Sequence, residues 1–355
     1  MLPPDARLGF CCKFIPPEDP SHTTKVAAAR AAAAMNLTTI TMAHLEKLGD
    51  KAFDKIVAAV DHNIEAQLAQ VRHVAARPPV ERLLRMASTL LPAYNHPVYR
   101  KFYDDPGLRG LVETGLARIG DLARRSGVRI SLHPSQFCVI ASENETALVN
   151  GLSELEYHAD VMRMMGYGAG WHPDGAHINI HGGARAPGVE GFRAGLARLS
   201  ETARNLVTVE NDEVSYGLDD LLHLADDLPI VLDLHHHWIA SGGEYLEPED
   251  PRIERVRASW RGVRPISHIS VSREDLLAGH DPDRLPDYQA LAASGLKLRD
   301  LRAHSDMMWN RAVNDLVARH LVWSDFEIEA KWKNLASEQI ARHVEAVVAR
   351  AEAAE

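Results

Sequence analysis

Nowhere in the chain do eighteen apolar residues run together, so the sequence predicts no membrane-spanning helix. The start, MLPPDARLGF, has no basic stretch leading into an apolar one, and no secretory signal is expected. Cysteine is scarce. Cys11, Cys12 and Cys138 form neither a CxxC pair nor an even set, which argues against a disulfide framework and a thiolate zinc site and fits reduced residues in a cytoplasmic protein. Positive charge is also in short supply: the formal net charge is −10, which counts against a general nucleic-acid binder. Part of that deficit would vanish locally if some of the acids ligate cations. No interdomain linker is evident, and no repeat beyond a strand–helix unit.

What the chain does have is histidine, 19 in 355 residues. The remainder is ordinary for a globular protein, with 46% hydrophobic and 25% charged residues. Short apolar or β-branched runs predict eight strands, at Leu8–Cys12, Leu83–Ala87, Val128–Leu132, His177–Ile180, Leu206–Val209, Ile230–Leu232, Ile266–Ser270 and Phe326–Ile328. Helical periodicity fills most of the gaps, as in Lys51–Val74, Gly107–Ser126, Glu143–Met165 and Gly191–Asn205. Within the long first crossover, the alanine run Ala27–Ala34 should be helix, and the prolines of ARPPV (76–80) a loop. Eight strands alternating with helices predict a TIM (β/α)8 barrel, one α/β domain over residues 1–355, closed by a C-terminal helix at 334–355.

In such a barrel the active site lies at the C-terminal ends of the strands. There the sequence places metal-capable side chains: His133 after the third strand, His181 after the fourth, Glu210 after the fifth, Asp233 and His236 after the sixth, His268 in the seventh and Glu329 after the eighth. His96 follows the second strand and His304 lies beyond the seventh. A lone histidine at a strand end is more often a satisfied structural residue. Nine such groups on one barrel face would cost kilocalories each if unpaired, and bound cations resolve that conflict. Imidazole and carboxylate ligation suits zinc, manganese or iron, and nine ligands exceed what one ion takes, so two or three ions are implied. Clusters of this kind most often hydrolyse phosphoesters, activating water and absorbing charge on the departing oxygen.

The segments carrying these residues are LRMASTLLPAYNHP (84–97), RISLHPSQF (129–137), INIHGG (178–183), VTVENDE (207–213), PIVLDLHHHW (229–238), ISHISVS (266–272), RAHSDMM (302–308) and FEIEAKWK (326–333). Taken in this order they resemble the ultraviolet-damage endonuclease family, a relative of the endonuclease IV type of barrel. The resemblance implies a trinuclear site ligated by His96, His133, His181, Glu210, Asp233, His236, His268, His304 and Glu329, with Glu210 bridging and Glu210, Asp233, His268 and Glu329 at the catalytic centre. It implies manganese, with zinc or magnesium as alternatives. The substrate implied is double-stranded DNA carrying ultraviolet photoproducts or other distorting lesions, cut immediately 5′ to the lesion to leave a 3′-hydroxyl and a 5′-phosphate. Gln136 and Phe137 match residues that probe the lesion, and Phe10 matches a family tyrosine without its hydroxyl. Lys331 and Lys333, with Arg85 and Lys101, are candidate phosphate contacts.

Two positions depart from the family. Ile266 stands where members usually carry a lysine that can become a carbamate, and Glu190 where they tend to carry a basic residue. These departures and the acidic charge keep two other functions in play: a sugar-isomerase-like or small-phosphoester enzyme on the same barrel, and a non-catalytic lesion-binding barrel. Nothing in the sequence calls for an oligomer, so a cytoplasmic monomer, nucleoid-associated when bound to DNA, is expected.

Overall fold

In the computed structural model, which describes residues 3–16 and 25–353, eight parallel strands close into a barrel in sequence order. They are β1 (Leu8–Cys11), β2 (Leu83–Met86), β3 (Arg129–Leu132), β4 (His177–His181), β5 (Val207–Glu210), β6 (Ile230–Asp233), β7 (Ile266–Ile269) and β8 (Asp325–Ile328). β1 closes the ring against β8, with Gly9 opposite Glu327. All eight strands lie where the sequence predicts them, giving the TIM barrel. Among the described residues no helix is long and apolar enough to cross a membrane.

Side-chain alternation divides each strand between two environments. One set, including Leu84, Met86, Ile130 and Ile178, packs outward against the helices in the main hydrophobic core. The other set points into the lumen, and much of it is polar. β3 and β8 are not neighbours in the sheet, so the contact of Arg129 Nη1 with Asp325 Oδ2 at 2.9 Å crosses the lumen. Ser131 likewise donates to Glu327. Barrel interiors are usually filled by branched apolar residues. Here such filling is a small cluster of Leu83, Val231, Trp260 and Ile266.

Two helices depart from expectation, for local reasons. The alanine run is helical only to Ala31 and continues as a 3-10 turn, Ala33–Met35. Asn36 ends it, its side-chain amide donating to the carbonyls of Ala29, Ala32 and Phe14. The segment expected as one helix at 191–205 is two, Gly188–Leu196 and Glu201–Arg204. Ser200 restarts it: its hydroxyl accepts from Ala203 N and donates to Glu156. The C-terminal helix, Lys333–Glu352, packs along the first strand, and at the mouth end Asn334 pairs with both backbone groups of Ile15.

The N-terminal end of the lumen is sealed by charge. Buried Asp325 accepts from Arg129, from Arg264 Nε at 2.7 Å and from the backbone N–H of Arg7 at 2.8 Å. Removing one side of a buried pair strands the other. Asp325→Ala should therefore lower unfolding free energy by about 3–5 kcal/mol, read as a urea-midpoint shift with unchanged slope. A loss within the scatter of surface substitutions would contradict this role.

His177, beside that seal, is pushed down to about 3, chiefly by burial and secondarily by Arg129. It stays neutral in the fold while the unfolded chain protonates it below about pH 6.5. The unfolded form then binds more protons in that window, so stability should fall as pH drops from 6.5 towards 3. Melting curves across that range should show a shallower fall in His177→Gln than in the parent chain.

Candidate metal centre

Register brings the strand-end ligands together. In the parallel pairs, His181 lies opposite Glu210, Asp233 opposite His268, and His268 opposite Glu327. All face the lumen, because the neighbouring positions are spent on the outer core. The chain leaves β4 immediately after His181: Gly183 adopts φ 92°, and a Cβ on Gly182 would meet the Tyr216 ring at 2.6 Å. At the end of β6, Asp233 caps the helix Leu234–Ala240, its Oδ1 accepting from His236 N at 2.7 Å. That cap leaves Oδ2 free to face the cluster and sets His236 on the first turn. Asn211 ties β5 to β6 by accepting from Asp233 N and donating to its carbonyl, each at 2.9 Å.

Glu210 is the hub. Its Oε2 lies 3.1 Å from His133 Nε2 and accepts from Asn179. Its Oε1 lies 3.1 Å from His268 Nδ1 and 3.3 Å from His236 Nδ1. His133, His181 and Glu210 form one group whose ligand atoms fall within 4.8 Å of one another; Glu210, Asp233 and His268 form a second. Glu210 belongs to both. Glu329 joins from β8's end, with Oε1 at 3.4 Å from His268 Nδ1 and Oε2 at 3.8 Å from His304 Nδ1.

The electrostatics follow. Burial opposes charge at Glu210, yet the imidazoles of His268 and His181, with contacts from His133 and His236, hold its carboxyl well below the usual range. Burial pushes Asp233 up to about 6. Four of the buried atoms left without a hydrogen-bond partner are His181 Nδ1, Glu210 Oε1, Asp233 Oδ2 and His268 Nδ1. Orphaned polar atoms in a protein interior are costly and need explanation. These four are all ligand-type atoms turned into one mouth, where divalent cations would satisfy them. The donor set fits manganese or zinc.

The other predicted residues lie in several places. His304 and His236 stand at the cluster. His96 does not join either ligand group; its Nδ1 accepts from Val98 N, and it lines a cavity of about 480 Å³ with Ser88, Asn95 and Tyr157. Gln136 and Phe137 project from the loop after β3, and Phe137 is 78% exposed, an unusual state for a phenyl ring. Lys331 pairs with Asp306 at the edge of a second cavity of about 770 Å³, and Lys101 is exposed. Lys333 adopts a left-handed backbone, φ 48°, just past the mouth.

Two expectations are corrected. Phe10 is only 5% exposed, on the outward side of β1 and packed near Phe14, so it presents no face to a duplex. Arg85 is no free phosphate contact: largely enclosed in the lumen, it pairs with Glu329 and with Glu327 at 3.4 Å. The sequence reading passed over Glu327, Asn179 and Asn211. For Glu327 a signal was present, since a strand's period of two puts residues 327 and 329 on one face.

Residues 21–351 match the family of UV-endonuclease UvdE. A UV-damage endonuclease of Neurospora crassa is 30% identical over 202 residues, 53% of this chain and 30% of that protein. One of Schizosaccharomyces pombe is 30% identical over 272 residues, 74% of this chain and 40% of that protein. The chain thus spans well under half the length of these two relatives. The crystal structure of SacUVDE superposes with a TM-score of 0.72, covering 96% of this chain and 99% of that one at 20% identity, which supports the same fold. The chain belongs to the UV-endonuclease UvdE family.

Proposed function

We propose that this chain is a DNA-repair endonuclease that cuts the phosphodiester immediately 5′ to ultraviolet photoproducts and other distorting lesions, leaving a 3′-hydroxyl and a 5′-phosphate. The observation that carries the reading is Glu210, a buried carboxylate common to two ligand groups at the mouth of a barrel of this family. Two or three divalent ions, manganese first and zinc or magnesium as alternatives, would be held by His133, His181, Glu210, Asp233 and His268, with His236, His304 and Glu329 beside them. When bound, such ions activate water and neutralise charge developing on the phosphate.

The chain's own groups do the rest. Glu210 spaces the ligand groups through its two oxygens. Asp233 divides its oxygens between helix cap and cluster, so the sixth strand's ligands cannot rotate away. His268 and Arg85 together keep Glu327 charged in the lumen, and Arg85 with His268 does the same for Glu329. Gln136 and Phe137 stand outside the mouth, where a polar group and a bare phenyl ring can enter a weakened base stack. Unstacking costs least at a damaged step, so the same insertion selects the lesion. The partner is duplex DNA, the working unit a monomer, and the compartment the cytoplasm.

Three outcomes test this. A labelled duplex with one pyrimidine dimer should be nicked 5′ to the dimer with Mn²⁺ and left intact with chelator. Glu210→Ala should cut nicking by at least about a thousandfold, in line with losing a group that positions metal and charge; a variant nicking at wild-type rate would remove Glu210 from the centre. Phe137→Ala should weaken binding to dimer-containing duplex by about 10–100-fold, the value of one base–aromatic stack, with undamaged duplex unaffected. Equal losses on both duplexes would make Phe137 a general contact rather than a probe.

A further inference from the structure

Glu327 lies on β8 two residues before Glu329, in register with His268, and belongs to neither ligand group. It is fully buried, and so is His268. The two nitrogens of His268 face opposite ways. Nδ1 looks up at Glu210 Oε1, 3.1 Å away, and Glu329 Oε1, 3.4 Å away. Nε2 looks down at Glu327 Oε2, at 3.0 Å. An imidazole that ligates through one nitrogen carries its proton on the other, and in a dry lumen that N–H needs an acceptor. Among the described residues, Glu327 is the carboxylate within ion-pair distance of Nε2.

Glu327 is itself held by a hydrogen bond at Oε1 and by charge alone at Oε2, which like His268 Nε2 has no aligned hydrogen bond. Ser131 of β3 donates to Oε1, and Arg85 of β2 stands 3.4 Å from Oε2. The same guanidinium donates to Glu329. The arrangement runs from Ser131 and Arg85 through Glu327 to His268 and so to the mouth.

We infer that Glu327 is a positioning residue that fixes the orientation and tautomer of His268, so that Nδ1 rather than Nε2 meets the metal. This rests on the metal-dependent reading above. Without Glu327 the ring has no acceptor for its Nε2–H and is free to present either edge; with it, the carboxylate also raises the basicity of Nδ1. Losing such an outer carboxylate typically costs 10–100-fold in metal affinity.

The test is calorimetric titration of Mn²⁺ into chelator-stripped full-length chain, for wild type, Glu327→Gln and Glu327→Leu, with melting curves of each metal-free form. Glu327→Leu should bind Mn²⁺ about 100-fold more weakly at the affected site. Glu327→Gln keeps an acceptor but no charge, and should lose about tenfold. Nicking of dimer-containing duplex should fall in kcat, with KM held. If the leucine variant does not fold, the glutamine variant decides alone. Wild-type Mn²⁺ affinity in a folded Glu327→Leu, or in Glu327→Gln where only that folds, would overturn the proposal while leaving the metal centre intact. A wild-type chain that takes up no Mn²⁺, Zn²⁺ or Mg²⁺ would instead sink the metal reading, and this proposal with it.

Discussion

A carboxylate buried at the end of a strand has to be compensated, and the mouth of this barrel is arranged around that requirement at Glu210. Desolvation works against its charge, four imidazoles surround it, and one of its oxygens still lacks a hydrogen bond. The neighbours are alike in kind: an aspartate with one oxygen committed to a helix cap and one orphaned, and histidines with orphaned nitrogens. Protein side chains alone do not close this set. Divalent cations would close it, and because Glu210 belongs to both ligand groups we propose more than one ion.

Below the mouth, the lumen continues the same logic with protein charges only. Arg85 sits between Glu327 and Glu329, and Asp325 between Arg129, Arg264 and Arg7. Each buried charge has an opposite charge across the ring, so the polar interior costs less than isolated charges would. Ile266 falls in a small apolar cluster with Leu83, Val231 and Trp260, and brings no charge to this lattice. The carboxylate nearest to His268 from below comes from the neighbouring strand β8, as Glu327.

Much of this was legible in the sequence, for definite reasons. Strands announce themselves by short apolar runs, and in a barrel the inward-pointing residues near each strand's C-terminal end line the mouth, so His133, His181, Glu210, Asp233, His268 and Glu329 could be gathered without coordinates. Cross-lumen partners could not. Whether Arg85 reaches a phosphate or a glutamate depends on how the ring closes, and β2 meets β8's side chains only through the lumen. Phe10 misled because strand parity, not proximity to a motif, decides which face a side chain takes. Helix breaks at Asn36 and Ser200 depend on the hydrogen bonds of one side chain each, which override propensity. His96 sits on a loop, where strand register gives no guidance.

The most direct measurement is the anomalous difference density of crystals of this chain soaked in Mn²⁺. Two or more peaks flanking the Glu210 carboxylate, with His133 and His181 on one side and Asp233 and His268 on the other, are the expected result. A single ion held away from Glu210, or no ion with the ligand side chains in place, would contradict the shared-carboxylate centre on which the functional reading stands.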